Sequence, residues 1–384
     1  MNRHVVLAAS LLAFAACSDD DDNQNNNSPT ELRVVTYNGG LARGFVAWAD
    51  ERAPLVTQAV ANLEADVVCV QEIWLPEHVT QLSADATEPF PNQIYLEPYP
   101  DPNPGEPACD ATEVEPLLDC FDEHCANATA DEIVSCVLDY CRTEFNALSG
   151  VCQSCLAANI GSTVPEMMAA CAEGTEAYAY GGSFGIGLLT NQTIAARDHI
   201  VMESSLNRRG VIYAQLETPL FGTVHVFCTH LTAVFGDIPF PHEEGSWTEE
   251  QAAQVTEMRA WVDQKAGTSG KVILLGDFNC GPGGQGFVPE IEANYDALSA
   301  GYTNVYFGMS GATCTFCDEN PLNGGIDHGE SVLIDHVLLR GFAANSIAER
   351  ILTEDISFTV DASNIQTKLS DHYGVRAILR PLAD

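Results

Sequence analysis

Polar side chains that could carry out hydrolysis follow several apolar segments of this sequence. They are Asn38, Glu72, His230, Asp277, Asn279, Asp335, Asp371 and His372. An Asp or Asn at the end of a strand is, by itself, more typical of a turn. As a set, however, carboxylates supply the oxygen ligands that Mg²⁺ prefers, two histidines can move protons, and an Asn can donate to a charged oxygen. The set therefore predicts a hydrolytic site for a phosphoric ester.

The segments that must position these side chains alternate between strands and helices. Extended apolar runs occupy residues 32–38, 66–72, 185–190, 210–217, 222–230, 271–279, 331–339 and 373–379. Helical patterns occupy residues 52–64 and 248–266. Several of the extended runs are apolar almost throughout, which indicates strands that are covered on both faces. This order predicts an α+β fold, a four-layer α/β sandwich with two mixed β-sheets packed face to face and helices outside.

Six short motifs link the polar residues to a known family. They are TYN (36–38), VQE (70–72), THL (229–231), GDFN (276–279), IDH (334–336) and SDH (370–372). In this order they resemble the endonuclease/exonuclease/phosphatase superfamily, which includes deoxyribonucleases, sphingomyelinases, abasic-site endonucleases and inositol-phosphate phosphatases. The resemblance covers residues 31–382, interrupted by an insert at 98–180. It implies metal-dependent hydrolysis of a phosphoric ester.

The resemblance implies a set of ligands for a divalent cation. Glu72 matches the family's Mg²⁺ ligand, with Asn38 beside it and Asp371 completing the surroundings of the cation. Mn²⁺ and Ca²⁺ are the alternatives to Mg²⁺. A cation held in this way neutralises a phosphate oxygen and stabilises the charge that develops in the transition state.

The resemblance also implies the groups that move protons and hold the phosphate. His372 matches the general base that activates water, and Asp335 would hold its tautomer. Asp277 would orient the water, and Asn279 would hydrogen-bond the phosphate. His230 matches a second histidine, a phosphate donor or leaving-group acid, and its presence groups the chain with the deoxyribonuclease and sphingomyelinase branches.

Two further positions bear on these roles. Arg208 and Arg209 precede a strand, and we expect Arg209 to bind the substrate phosphate, although an arginine in such a place is more often a surface residue. His336 follows Asp335 directly in a strand. Because alternation turns its side chain to the other face, we expect His336 to matter less for catalysis than His372.

The N-terminus predicts export. Residues 1–17 resemble a lipoprotein-type signal peptide, with a short basic start, an apolar run from Val5 to Ala16, and then Cys17, on which we expect a lipid. An ordinary signal peptide cut nearby is the alternative. Residues 18–30 predict a disordered acidic and Asn-rich tether. Ser18, by resemblance, favours a lipoprotein of the outer membrane or cell surface; otherwise the protein is secreted.

The insert at 98–180 is rich in cysteine, which is typical of exported proteins. Its cysteines are Cys109, Cys120, Cys125, Cys136, Cys141, Cys152, Cys155 and Cys171. We expect a disulfide-rich helical module, and the pattern leaves its connectivity open. Zinc at Cys152 and Cys155 is disfavoured because no second ligand pair follows. The insert is either a disulfide-linked addition that only resists proteolysis, or a functional element: a lid on the substrate side or a patch that binds a partner.

The other cysteines leave an odd number. Once the lipidated residue is set aside, thirteen of the fourteen cysteines remain, so at least one is unpaired in a monomer. Cys69 and Cys228 lie inside apolar runs, where a free thiol behaves as a small hydrophobe, and we expect the free thiol to be one of these two. The resemblance to pancreatic-type deoxyribonucleases implies that Cys280 is bridged to Cys314 or Cys317. A local Cys314–Cys317 bridge is the competitor.

Charge bears on the substrate. The net charge is −38, from 16 basic and 54 acidic residues, and a field of this sign slows encounter with nucleic acid. The charge thus disfavours nucleic acid, and the resemblance implies a Mg-dependent hydrolase. Together with the predicted lipid anchor, they lead us to expect a monomeric phosphodiester hydrolase, anchored to a membrane, that acts on a phospholipid as a sphingomyelinase does. The alternatives are a secreted Mg-dependent nuclease, a phosphomonoesterase, and an exported binding module with a vestigial site.

An irregular stretch at residues 231–247 follows His230 and carries three aromatic residues, Phe235, Phe240 and Trp247. Aromatic side chains beside a site can touch a lipid interface or stack on a base. They can equally pack within their own loop, and the sequence leaves both readings open.

Overall fold

The computed structural model describes residues 29–99, 107–128, 133–172, 178–236, 238–242, 244–323, 330–342 and 344–382. The predicted signal peptide, with Cys17, and all but the last two residues of the predicted tether lie outside these ranges. Across the described ranges, no helix combines the length and the apolar content needed to cross a bilayer.

Strands and helices divide the described chain between them. The strands are β1 (Leu32–Asn38), β2 (Val67–Gln71), β3 (Asn92–Tyr95), β4 (Gly187–Thr190), β5 (Thr193–Met202), β6 (Arg209–Thr218), β7 (Gly222–His230), β8 (Val272–Asp277), β9 (Thr303–Asn304), β10 (Asp335–Arg340), β11 (Ala344–Ile351), β12 (Asp355–Val360), β13 (Ser363–Lys368) and β14 (Gly374–Pro381). The helices are α1 (Ala49–Ala61), α2 (Pro76–Asp85), α3 (Ala111–His124), α4 (Ile133–Tyr140), α5 (Arg142–Asn146), α6 (Gly150–Ala158), α7 (Val164–Ala172), α8 (Trp247–Ala266) and α9 (Glu292–Ser299).

Two six-stranded sheets form the centre of the fold. Their strand orders are β11-β14-β1-β2-β4-β3 and β5-β6-β7-β8-β10-β9, and β12 pairs with β13 in a separate hairpin. Both sheets are mixed, because β1 is parallel to β2 and antiparallel to β14, while β8 is parallel to β7 and antiparallel to β10. The sheets pack face to face over a core that includes Val34, Leu188, Val226 and Ile273.

Helices cover the outer face of each sheet. On the first sheet, Val56 of α1 and Leu82 of α2 pack in one cluster with Val68. On the second, Met258 of α8 and Leu298 of α9 pack in one cluster with strands β7 and β8. The α+β sandwich predicted from the sequence is confirmed, and its four layers explain why the central strands are apolar on both faces.

Residues 107–128 and 133–172 form a helical module with a core of its own. Helix α3 begins after Asp110, whose carboxylate accepts from the backbone N of Thr112, while Glu113 accepts from the backbone N of Asp110. Four disulfides join the helices: Cys109–Cys152, Cys120–Cys141, Cys125–Cys136 and Cys155–Cys171. The first three are nested: Cys120–Cys141 and Cys125–Cys136 connect the α3 region to the α4 region, and Cys109–Cys152 connects the segment before α3 to α6. These bridges confirm the predicted disulfide-rich helical module.

The predicted pairings of the remaining cysteines are wrong in two respects. Cys69 and Cys228 are bonded to each other, because β2 and β7 turn these side chains into the shared core between the sheets. Cys314 is bonded to Cys317, and Cys280 is the free, buried thiol of the described chain. Cys280 faces the outer layer beneath α8 and α9, whereas Cys314 and Cys317 lie between the sheets.

These bridges should differ in their contribution to stability. Replacing Cys69 and Cys228 together by alanine is expected to lower the free energy of unfolding by about 3 kcal/mol more than replacing Cys314 and Cys317 together. The reason is the loop each closes, since the pairs are separated by 159 and 3 residues and all four side chains occupy the same core. Denaturant titration of the two double variants measures the difference. Equal losses would contradict the loop-length explanation.

Candidate active site

The candidate residues gather at one end of the sandwich because strands of both sheets end there. In the first sheet, β1 ends at Asn38 and Glu72 follows β2. In the second, the parallel pairing of β7 with β8 sets His230 opposite Asp277. The antiparallel pairing of β8 with β10 sets Asp335 opposite the same Asp277. Sheet register alone therefore brings three of these side chains together.

His372 and Asp335 form a buried pair. The Nδ1 atom of His372 lies 2.9 Å from Oδ2 of Asp335, and because the carboxylate only accepts, Nδ1 carries the hydrogen. The Nε2 atom is left facing Asp277 Oδ2 at 3.8 Å. Burial alone would lower the pKa of His372, but the charges of Asp335 and Asp277 outweigh it and raise that pKa well above its usual value. This is the arrangement of a base with an orienting carboxylate.

Asp277 lies at the centre of the polar cluster. Its Oδ2 accepts from Asn38 Nδ2 at 2.9 Å and lies 3.4 Å from His230 Nε2. Its Oδ1 accepts from the backbone N of Asn279 at 2.9 Å. Burial and the nearby Asp335 raise the pKa of Asp277 to about 7. A carboxylate held so tightly between donors can fix the position of a small reacting molecule.

Glu72 is strained and incompletely paired, as functional residues often are. Its φ of 57° is in the left-handed region, which non-glycine residues rarely adopt. One carboxylate oxygen, Oε1, accepts from Asn38 Nδ2 at 3.2 Å, whereas the buried Oε2 has no hydrogen-bond partner among the described residues. Burial and the charge of Asp371 raise the pKa of Glu72. One buried oxygen of the Glu72 carboxylate is therefore left without a hydrogen bond from the described residues.

Asp371 approaches this carboxylate closely because a glycine makes room for it. Gly40 has a φ of +56°, and a Cβ atom at this position would collide with Asp371 Oδ1. The same oxygen accepts from Ser370 Oγ at 3.0 Å. The end of β1 is therefore shaped to bring a second carboxylate beside Glu72.

Arg208 and Arg209, which are adjacent in sequence, have different surroundings in the structure. Arg209 is 3% exposed, and in the part of the chain that the structure describes its Nε and Nη1 atoms have no hydrogen-bond partner. Burial lowers its pKa to about 10, while the carboxylates of Glu72 and Asp277 act in the opposite sense. Arg208 lies instead over the rings of Tyr99 and Tyr178 and donates to the backbone O of Tyr99. A buried guanidinium with unpaired donors is suited to an anionic ligand.

His230 and Asn279 complete the wall of the cavity. Burial, Arg209 and His372 lower the pKa of His230 well below its usual value, so the ring is neutral at pH 7. Within the described ranges its Nδ1 has no hydrogen-bond partner. Asn279 has a φ of 48°, and its Nδ2 donates to the backbone O of Leu231 at 2.9 Å. One of the two amide hydrogens of Asn279 thus holds the loop after His230.

The sequence did not indicate the aromatic part of the site. Trp74, two residues after Glu72, is 2% exposed and stacks on Tyr180 with ring centroids 5.2 Å apart. The same indole lies 5.9 Å from the ring of His230 and 5.8 Å from the guanidinium of Arg209. The position of Trp74 directly after the VQE motif was the one available signal. Nothing in the sequence brings Tyr180, which follows the helical insert, to the same place.

His336 lies on the opposite face of β10, in the layer beneath the outer helices. Its Nε2 is 2.9 Å from the backbone O of Cys280, and its Nδ1 is 3.0 Å from Asn304 Nδ2. The carbonyl accepts and the amide donates, so the neutral ring with hydrogen on Nε2 satisfies both partners. Protonation would put a hydrogen on Nδ1, which would then face the N–H of Asn304 Nδ2, a donor against a donor. Burial lowers the pKa of His336 to about 4.

This depressed pKa predicts a loss of stability in acid. Between the usual pKa of 6.5 and about 4, the unfolded chain binds the proton and the folded chain does not, so stability is lost as pH falls through that window. The contribution of His336 is about 3 kcal/mol between pH 7 and pH 4. The loss in unfolding free energy over this range should therefore be smaller by that amount in His336→Gln, which cannot titrate. An identical acid loss in both proteins would contradict the prediction.

Comparison with known proteins gives a family for this chain. A family model described as the endonuclease/exonuclease/phosphatase family matches residues 36–372. The chain belongs to this family. A search of curated protein sequences finds no match.

Solved structures show the same fold at low sequence identity. A variant of beta toxin from Staphylococcus aureus with bound magnesium ions has a TM-score of 0.57 at 15% identity, covering 92% of this chain and 100% of that one. Sphingomyelinase C from Streptomyces griseocarneus has a TM-score of 0.56 at 17% identity, covering 90% and 98%. The protein SmcL has a TM-score of 0.56 at 14% identity, covering 91% and 99%.

Proposed function

We propose that this family member is a Mg-dependent phosphodiester hydrolase that acts on a phospholipid. One observation carries the proposal: a histidine oriented by a buried carboxylate lines the same cavity as a glutamate and an arginine, each of which has side-chain atoms without a hydrogen-bond partner among the described residues. These groups belong to His372 with Asp335, to Glu72, and to Arg209. Membership of the family supports hydrolysis of a phosphoric ester in general.

The residues around Glu72 fit a hard divalent cation. The unpartnered Oε2 of Glu72 and the carboxylate of Asp371 supply oxygen donors at the end of β1 and β2, beside Asn38. A cation bound there would neutralise charge on the phosphate. The beta toxin structure with bound magnesium ions supports Mg²⁺ as the cation for this chain too.

The remaining groups account for proton transfer and for binding of the phosphate. In the neutral form of His372, the Nε2 atom takes a proton from water while the Nδ1 hydrogen stays with Asp335. The raised pKa of His372 favours the protonated ring that this step forms. Arg209 presents unpaired nitrogen donors to a phosphate oxygen. His230 has hydrogen-bonding capacity left at Nδ1 and lies beside Asp277, in position to serve the phosphate or the leaving group.

A phospholipid is the substrate that these surroundings favour. The net charge of −38 disfavours a long polyanion such as DNA. The similar fold of a sphingomyelinase C supports a lipid phosphodiester. The loop aromatics Phe235, Phe240 and Trp247 pack on one another, with centroids 5.0 and 5.1 Å apart, so they do not form the exposed stacking platform that single-stranded nucleic acid requires.

A panel of substrates tests the proposed activity. The full chain is incubated with Mg²⁺ and vesicles containing a choline phospholipid, with plasmid DNA, or with p-nitrophenyl phosphate. Release of phosphocholine from the vesicles, at a rate well above cleavage of the other two, is the expected result. Preferential cleavage of DNA would make the protein a nuclease, and preferential release of inorganic phosphate would make it a phosphomonoesterase.

We propose further that the enzyme is exported and anchored by a lipid on Cys17. The disulfides of the described chain support an oxidising compartment. Mass spectrometry of the mature N-terminus is expected to find acylated Cys17, and Cys17→Ser should release the protein from the membrane or stall its processing. An unmodified start elsewhere would indicate a plain secreted enzyme.

A further inference from the structure

The cavity that contains the polar cluster extends far beyond it. Its volume is about 520 Å³, within the roughly 300–1,000 Å³ of small-molecule sites. Glu72, Arg209 and His372 line one part of it. The helical module lines another with apolar side chains, among them Val134, Val137, Leu138, Phe145, Leu156 and Met168. One continuous space thus has a charged end and an apolar end.

Helix α4 shows that the apolar end is not ordinary core packing. Its sequence, IVSCVLDY, is strongly apolar, yet none of these eight residues is buried. Val134, Val137 and Leu138 lie three and four residues apart on one helical face, and that face lines the cavity. In a filled core such a face would be covered by other side chains. Here it borders open space that continues to the catalytic groups.

The disulfides explain how the module keeps this space open. A short helical module normally gains its stability from a tightly filled core, and a cavity there is destabilising. Four bridges hold these helices together instead, and Cys141, Cys152 and Cys171 are fully buried. Alanines of α6 also pack with Leu206 and Trp247 of the main domain, which fixes the module against the site.

We propose that the helical module binds one alkyl or acyl chain of the phosphoester substrate while the phosphate lies at Glu72, Arg209 and His372. This inference rests on the proposed function and adds to it the source of selectivity for a lipid. The occupant is argued from continuity: a molecule that spans the cavity must be anionic at one end and apolar at the other. The module is then a substrate-binding element and not merely a disulfide-linked addition to the fold.

A series of soluble substrates of increasing chain length tests this inference apart from the activity itself. Alkyl p-nitrophenyl phosphodiesters, from methyl to decyl, are assayed with Mg²⁺ below their micellar concentrations. We expect kcat/KM to rise by about two- to fourfold for each methylene that enters the cavity. Equal kcat/KM along the series would overturn the chain-binding site and leave the hydrolase intact. Failure to cleave any member would overturn both proposals.

Two matched substitutions locate the effect in the module. Val134 lines the cavity, whereas Val151, on α6, is 53% exposed and outside it. Val134→Asp is expected to reduce the ratio of decyl to methyl kcat/KM to near one, because a carboxylate in the apolar end opposes entry of the chain. Val151→Asp, the same change on a solvent face, should keep the wild-type ratio.

A second substitution covers the case in which the buried charge prevents folding. Val134→Phe adds apolar volume and no charge, so it should shift the preference from decyl towards shorter chains by occupying the space. If Val134→Phe and Val151→Asp both retained the wild-type preference for decyl, an apolar chain would bind elsewhere, and the assignment of the module would be wrong.

Discussion

Replacing Glu72 by glutamine is expected to lower kcat about a thousandfold, because the stabilisation that a cation gives to a phosphoryl transition state is worth several kcal/mol. The change removes the charge of the carboxylate whose Oε2 is buried without a partner. It keeps the size of the side chain and the acceptor that Asn38 uses. Steady-state kinetics at saturating Mg²⁺ measure the loss.

A measurement of thermal stability distinguishes this loss of kcat from unfolding of the variant. Burial and Asp371 disfavour the charged form of Glu72 and raise its pKa, so in EDTA the Glu72→Gln protein should unfold at the same temperature as the wild type or at a higher one. Glu290→Gln is the matched control, since Glu290 lines the same cavity without belonging to the polar cluster, and its kcat should stay close to wild type. Full activity in Glu72→Gln would remove Glu72 from the catalytic machinery.

Replacing His372 by alanine is expected to lower kcat by about 10²–10⁴-fold, which is the usual contribution of a positioned proton-transfer group. Its Nδ1 is fixed by Asp335 at 2.9 Å and its Nε2 faces the cluster. His230→Ala should lose activity in the same range, with KM changed much less than kcat. Both losses are measured with a chromogenic phosphodiester at the pH of maximal activity.

His336 provides the comparison for the two histidines that we propose to be catalytic. It is adjacent to Asp335 in sequence, equally buried, and bonded to Cys280 and Asn304 on the far face of β10. The folded fraction of His336→Gln should therefore turn over at a rate within a few-fold of wild type. A loss as large as that of His372→Ala would show that the proton-transfer groups have been assigned to the wrong face of the strand.

Much of the central fold was predictable because strand ends coincide with recognisable motifs. The run at 222–230 matches β7, and 32–38 matches β1. Strand β5 was missed because most of its residues are exposed, so its sequence lacks an apolar run. The exposed hairpin of β12 and β13 was missed for the same reason. Pattern reasoning detects strands through burial, and edge or surface strands give little of that signal.

Long-range relations were harder to predict than element types. The motifs predicted which polar side chains form the candidate site. They did not predict that nitrogens of Arg209 would lack partners among the described residues, or that the backbone of Glu72 would be left-handed. The Cys69–Cys228 bridge requires that two strands of different sheets each direct a cysteine side chain into the core between the sheets. The apolar end of the cavity depends on how four disulfides arrange the helices of the module and on how the module packs against the domain. Local sequence fixes neither relation, because both arise from residues far apart in the chain.

The most direct test of a metal-dependent phosphodiesterase is the hydrolysis of methyl p-nitrophenyl phosphate by the full chain, followed in Mg²⁺, after addition of EDTA, and after Mg²⁺ is restored in excess. We predict that p-nitrophenol is released in Mg²⁺, that release stops in EDTA and that it resumes with restored Mg²⁺, with Glu72→Gln nearly inactive throughout. Release that continues unchanged in EDTA, or that is equally fast in Glu72→Gln, would contradict the assignment of the site.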